Sequence, residues 1–176
     1  MIVISDTSPI IYFAKIGQLQ ILKDLYSKIY VPDAVWEELV YPLSRHYNKI
    51  PKDIKYALRA KEEGWIIIKN PETIKFYELA LELSKNLGRG EAHAIALSLE
   101  INADLLLIND KMAKNIAELR GINTKWNAAV LLEAYEKNLF KSYQEFKINL
   151  DKMIESGLWI EKSLYEELLN KAKTIK

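Results

Sequence analysis

Runs of consecutive apolar residues recur along the chain, each followed by a stretch with helical spacing: Ile2-Val3-Ile4, Ile29-Tyr30-Val31, Trp65-Ile66-Ile67-Ile68 and Leu105-Leu106-Leu107-Ile108. A strand with one wet face alternates apolar and polar residues, whereas a continuous apolar run is a strand covered on both faces. Such strands alternating with helices predict an α/β fold around a parallel sheet.

The punctuation supports that reading. Residues 2–5 read as the first strand, with Ser8 as an N-cap, Pro9 at the first helical position and Gly17 closing the helix. Helix 19–26, strand 29–31 and helix 33–41 follow, then a polar, basic loop over 42–50. Helix 53–63, strand 65–68, helices 72–86 and 91–101, strand 105–108, helix 110–119 and a short strand at 122–125 complete the alternation. Three helices close the chain near 127–137, 142–155 and 161–173.

Composition excludes several classes. With 176 residues, 49% of them apolar, the chain suits one domain with a real core and argues against extended disorder. The absence of cysteine rules out disulfides and thiol chemistry. No apolar run approaches a membrane span, and no charged region precedes the first one, so neither a membrane helix nor a secretory leader is expected; the expected location is cytoplasmic. The net charge of +1 leaves any nucleic-acid partner to a local basic patch.

In open parallel sheets ligands bind beyond the carboxyl ends of the strands, at a topological switch point. Asp6 follows the first strand, Pro32-Asp33 the second, Lys69-Asn70-Pro71 the third and Asn109-Asp110 the fourth. A carboxylate at the exit of a buried strand is costly unless compensated. Asp6 can serve as a cap, but Ser8 fills that role and leaves Asp6 free for another; Asp110 is equally readable as the N-cap of its helix. Glu91 lies about 90° from the centre of the stripe Ala92, Ile95, Ala96 and Leu99, where it either faces a cleft or simply favours the helix dipole. Glu37 and Glu38 flank the stripe Val35, Trp36, Leu39 and Val40 almost symmetrically, and periodicity does not choose between them. His46 falls in the loop, and His93 points about 200° away from Glu91, as a structural or exposed residue.

Three stretches in order, VISDTSPIIYFAKIGQLQIL, YVPDAVWEEL and GRGEAHAIALSLEINADLLLINDKMA, with LYEELL near the end, resemble the PIN-domain nucleases, in the branch whose first strand runs into Asp-Thr-Ser-Pro. The resemblance extends essentially from Met1 to the C-terminus. It implies a single domain: a three-layer α/β/α sandwich over residues 1–126, with parallel strands in the order 3-2-1-4-5, and C-terminal helices over 127–176 packed on it. Carried over by position, the family's acids match Asp6, Glu38, Glu91 and Asp110. Most members carry Asp where this branch has Glu91, and many carry a hydroxyl where this chain has Ile108.

The resemblance further implies an Mg²⁺- or Mn²⁺-dependent endoribonuclease. Four carboxylates on one cleft raise each other's pKa, and a hard divalent cation relieves that penalty. Thr7, Ser8 and Asn109 are then supporting groups. Arg89, Lys111 and Lys114, with Arg45 and Lys49 in the loop, are candidate RNA contacts. Many relatives are toxins neutralised by a small antitoxin, so an antitoxin partner and a homodimer are expected as well. The rival expectation is a non-catalytic module that binds RNA or a protein. A haloacid-dehalogenase-like domain would need Asp-x-Asp where this chain has Asp6-Thr7-Ser8, and a receiver domain an Asp after the third strand.

Overall fold

A computed structural model of the chain describes residues 1–41 and 50–175. The expected loop over 42–50, with Arg45, His46 and Lys49, lies outside the described residues apart from Ile50.

The elements run β1 (Val3–Ser5), α1 (Thr7–Lys15), α2 (Gln20–Tyr26), β2 (Ile29–Val31), α3 (Asp33–Val40), α4 (Lys52–Glu62), β3 (Ile66–Ile68), α5 (Ile74–Leu83), α6 (Arg89–Glu100), β4 (Leu105–Leu107), α7 (Lys111–Leu119), β5 (Thr124–Lys125), α8 (Asn127–Glu136), α9 (Tyr143–Glu155) and α10 (Lys162–Ile175). All strand pairs are parallel, in the order β3-β2-β1-β4-β5. The register sets Val3 beside Leu105, Ile4 beside Leu106 and Ser5 beside Leu107. The chain therefore reverses direction across the sheet between β1 and β4, which makes the ends of these strands the switch point.

Side chains alternate across the sheet and divide the core in two. Ile4, Leu106 and Ile108 join Ala92 and Ile95 of α6 and Ala113 and Ala117 of α7. Val3, Leu105 and Leu107 join Ile10 and Phe13 of α1 and the closing helices, including Tyr135, Phe146 and Leu150. This is the three-layer α/β/α sandwich that the resemblance implies. Phe146, Leu150 and Met153 of α9 are fully buried. At about 1.5–3 kcal/mol per fully buried large apolar side chain, they make α9 an integral part of the core.

Three boundaries differ from expectation for identifiable reasons. The first helix starts at Thr7, with Asp6 rather than Ser8 as its N-cap. The fifth helix starts at Ile74, because the Glu100 carboxylate accepts the N–H groups of Glu72 (2.9 Å) and Thr73 (2.7 Å) and holds them just outside it. The sixth helix starts at Arg89, and every residue from Ala92 to Ser98 is buried, not only one stripe. The helix packs against α3, α5 and the sheet together, so a single-face pattern underestimates its burial. His93, on the side read as exposed or structural, is for that reason 7% exposed.

Candidate active site

Asp6 is the buried member of the acid set, 2% exposed at the end of β1. Its backbone N–H donates to Leu107 O (3.0 Å), which fixes it against β4. One carboxylate oxygen, Oδ1, accepts the Ser8 N–H (3.0 Å) and caps α1. The expectation that Asp6 is free of capping is therefore corrected. An acid one residue before the helix reaches the second helical N–H, whereas Ser8 is itself already helical. The other oxygen, Oδ2, is buried with no hydrogen-bond partner. So is Asn109 Oδ1, at the exit of the neighbouring strand.

Glu38 is exposed and spans two helices. Its Oε2 accepts the Thr7 hydroxyl (2.5 Å), and its Oε1 accepts the Gly90 N–H (2.9 Å). Glu37, its neighbour, turns the other way and pairs with Arg89 (2.7 Å). Tertiary packing thus separates two glutamates that periodicity left equivalent. Glu91 is half-buried and folds back on the N–H of Gly88, the cap residue of α6. Asp110 is exposed and caps α7 through the Ala113 N–H (2.7 Å).

Burial pushes the Asp6 carboxyl well above the usual carboxylate range, and Glu91 and, less strongly, Glu38 push it further; the N–H groups of Asn109 and Ser8 oppose them. Glu91 is raised by burial and then by Glu38 and Asp110. The four acids are therefore linked through Glu91, from a buried floor at Asp6 to an exposed rim at Glu38 and Asp110. The donors are all oxygens, and one buried carboxylate oxygen lacks a partner, which suits a hard divalent cation. Among the described residues no three of these side chains form a ready-made ligand cluster. Their carboxylates are spread over the capping and bridging bonds above.

The basic candidates differ. Arg89 is engaged by Glu37, and Lys114 by Glu118 (2.9 Å). Lys111 is exposed at the first position of α7. Ile108 is fully buried among apolar residues, so this position offers no hydroxyl to the site. His93 contacts Tyr77 edge-on (6.3 Å, 85°), and burial, followed by the Arg89 charge, pushes its imidazole down.

Two glycines that shape the candidate site escaped the sequence reading. A Cβ on Gly90 would stand 2.7 Å from Glu38 Oε2 and 2.9 Å from Oε1, and a Cβ on Gly88 would collide with Glu91 Oε2. The Gly-Arg-Gly before Glu91 therefore makes room for two carboxylates. The available signal was a pair of glycines at a helix start, where only one is needed for a cap.

The 3-2-1-4-5 sandwich, with Asp6 and Asp110 following the adjacent strands β1 and β4, is an α/β fold of the class to which the PIN-type nucleases belong. The DUF3368 family model, described as a PIN domain, matches residues 2–174, and the chain belongs to that family. No curated protein matches the chain. No helix among the described residues is long and apolar enough to cross a membrane.

Proposed function

We propose that the protein is a metal-dependent endoribonuclease that hydrolyses RNA phosphodiesters, the toxin of a toxin–antitoxin pair acting in the cytoplasm. The observation that carries this is the unpartnered, fully buried Oδ2 of Asp6 at the switch point, in a carboxyl whose pKa is raised by burial first and then by Glu91 and Glu38. Asp6, Glu38, Glu91 and Asp110 would hold Mg²⁺ or Mn²⁺, directly or through water. Such an ion supplies an activated water and neutralises charge on the transferring phosphate. Thr7 orients Glu38 through its hydroxyl, Ser8 orients Asp6 through its backbone N–H, the Asn109 N–H adds a favourable dipole near the same carboxylate, and Lys111 offers a cation to a substrate phosphate.

Purified protein is expected to cleave single-stranded RNA in Mn²⁺ or Mg²⁺, and Asp6→Asn, which preserves the cap acceptor, to abolish the cleavage. Full activity in Asp6→Asn would overturn the assignment. The second reading, a non-catalytic module that binds RNA or a protein, draws on the capping and bridging bonds that occupy these carboxylates. Calorimetry separates the two, since a module of that kind binds no Mn²⁺ at millimolar metal. A small antitoxin and a homodimer belong to the toxin reading. A short gene directly beside this one, whose product suppresses the cleavage, is the expected finding.

A further inference from the structure

We propose that a second cleft, between α3, α5 and α6, receives a nucleobase of the single-stranded RNA whose phosphate occupies the acidic site, with Tyr77 as its stacking surface. This rests on the ribonuclease reading. The cleft has a volume of about 300 Å³ and is lined by Asp33, Asn70, Tyr77, Leu81, Arg89 and His93 among others. Its size is at the lower end for small-molecule sites, which suits a single heterocycle.

The lining has the chemistry such a ring requires. Tyr77 is half exposed, and its ring stands nearly perpendicular to the imidazole of His93. A planar ligand parallel to Tyr77 therefore meets His93 at right angles, so stacking and a contact to the imidazole are available together. His93 is 7% exposed, and its ring forms part of the cleft wall against Tyr77. Asp33 and Asn70 form a fixed polar wall, bonded to each other by the Asp33 N–H to Asn70 Oδ1 (2.8 Å) and Asn70 Nδ2 to Asp33 Oδ2 (2.5 Å). The carboxylates of Asp33 and Glu37 disfavour an anion in the cleft itself and accept from the N–H groups of a base.

Position ties this cleft to the acidic site. The Glu38–Gly90 bond belongs to the acid set, and the preceding residue on each helix, Glu37 and Arg89, forms the ion pair at the rim of the second cleft. A strand with a phosphate against Glu38 and Glu91 therefore passes over Arg89 to reach Tyr77. The Arg89–Glu37 pair is exposed on both sides (62% and 59%) and contributes little, so a phosphate can take the guanidinium at small cost.

The test compares Tyr77→Ala and Tyr77→Phe with the unmodified chain, in Mn²⁺, on single-stranded oligonucleotides that differ in one base beside the cleaved bond. The unmodified protein is expected to prefer certain bases at one such position. Tyr77→Ala should raise KM about tenfold, in line with base stacking, level that preference and keep kcat within about twofold. Tyr77→Phe should restore both. Anisotropy binding of the same oligonucleotides to the Asp6→Asn protein should show the same Tyr77 dependence without turnover. Cleavage that depends on Asp6 but is unaltered by Tyr77→Ala would overturn this proposal alone. A change in oligomeric state on Tyr77→Ala with unchanged base preference would also overturn it, and assign the exposed Ile74, Tyr77 and Leu81 face to a second copy. Loss of all RNA cleavage and binding in the unmodified protein would remove the ribonuclease reading, and this proposal with it.

Discussion

Replacing Gly90 by alanine separates the acidic site from the fold that carries it. The new Cβ would lie 2.7 Å from Glu38 Oε2, 2.9 Å from Oε1 and 3.0 Å from Cδ. Ordinary contact begins near 3.5 Å, so the carboxylate must retreat by roughly 0.5–1 Å. The atoms that move are the far end of an exposed side chain, and the fold gives little. The Gly90 N–H to Glu38 bond is weakened, about 1.5 kcal/mol for an exposed charged acceptor. Alanine recovers about 0.5–1 kcal/mol over glycine in a helix. The net change is expected within about 1 kcal/mol, a Tm shift of about 2–4 °C for a chain of this size. A displacement of about 1 Å at a reacting centre costs about 100-fold, so kcat/KM for RNA should fall between about 10- and 100-fold and the Mn²⁺ requirement should rise. Thermal unfolding and initial cleavage rates across a Mn²⁺ titration measure both. Cleavage within twofold of the unmodified protein, with the same Mn²⁺ dependence, would refute the placement of Glu38 in the site. A Tm loss beyond about 10 °C would instead show that Gly90 serves packing.

The other predictions address the hydroxyl bridge, a half-buried ion network and the closing helices. Thr7→Val removes the hydroxyl that holds Glu38 Oε2 and should weaken Mn²⁺ binding by calorimetry about tenfold, with Thr7→Ser near normal; equal affinity for all three would dismiss the bridge. Burial raises the Glu133 carboxyl, but Lys125, Lys137 and Tyr26 outweigh it and hold it at about 2. Because this folded-state value lies below the unfolded value of 4.5, the carboxylate's contribution is complete above about pH 5 and is lost as pH falls toward 2. Glu133→Gln should therefore cost about 2–3 kcal/mol at pH 7 and progressively less below pH 4.5, read from urea denaturation, whereas a pH-independent cost would exclude the ionic origin. Phe146, fully buried and stacked on Tyr135 at 5.5 Å, should cost about 3–5 kcal/mol as Phe146→Ala and lower Tm by roughly 10 °C, and a drop under 3 °C would detach α9 from the core.

The sheet was legible in the sequence because its strands are buried on both faces. Continuous runs such as Ile29-Tyr30-Val31 and Leu105-Leu106-Leu107 cannot be satisfied by a half-exposed strand or a surface helix of that length. The strand order and the four acids came from resemblance to a family, not from spacing, since nothing local in Asp6 or Asp110 distinguishes a ligand from a helix cap. Each caps a helix in the structure, so the local reading and the site reading coexist in one carboxylate.

What the sequence determined by itself is what depends on short range: strands from apolar runs, the presence of a helix after each of them, and the turn at Gly17, which adopts positive φ. What only the tertiary structure decided is which side chains share an environment. Glu37 and Glu38 are adjacent in sequence and equivalent in periodicity. They part because one meets Arg89 and the other meets Thr7 and Gly90, across 52 and 31 residues of chain. His93 is buried because α6 is enclosed by α3, α5 and the sheet, and Asp6 is buried at the end of β1, next to β4, with Oδ2 left without a partner. Desolvation and Coulomb coupling act through space, so the property that marks the site is set by residues distant in sequence and is carried by no single stretch of it.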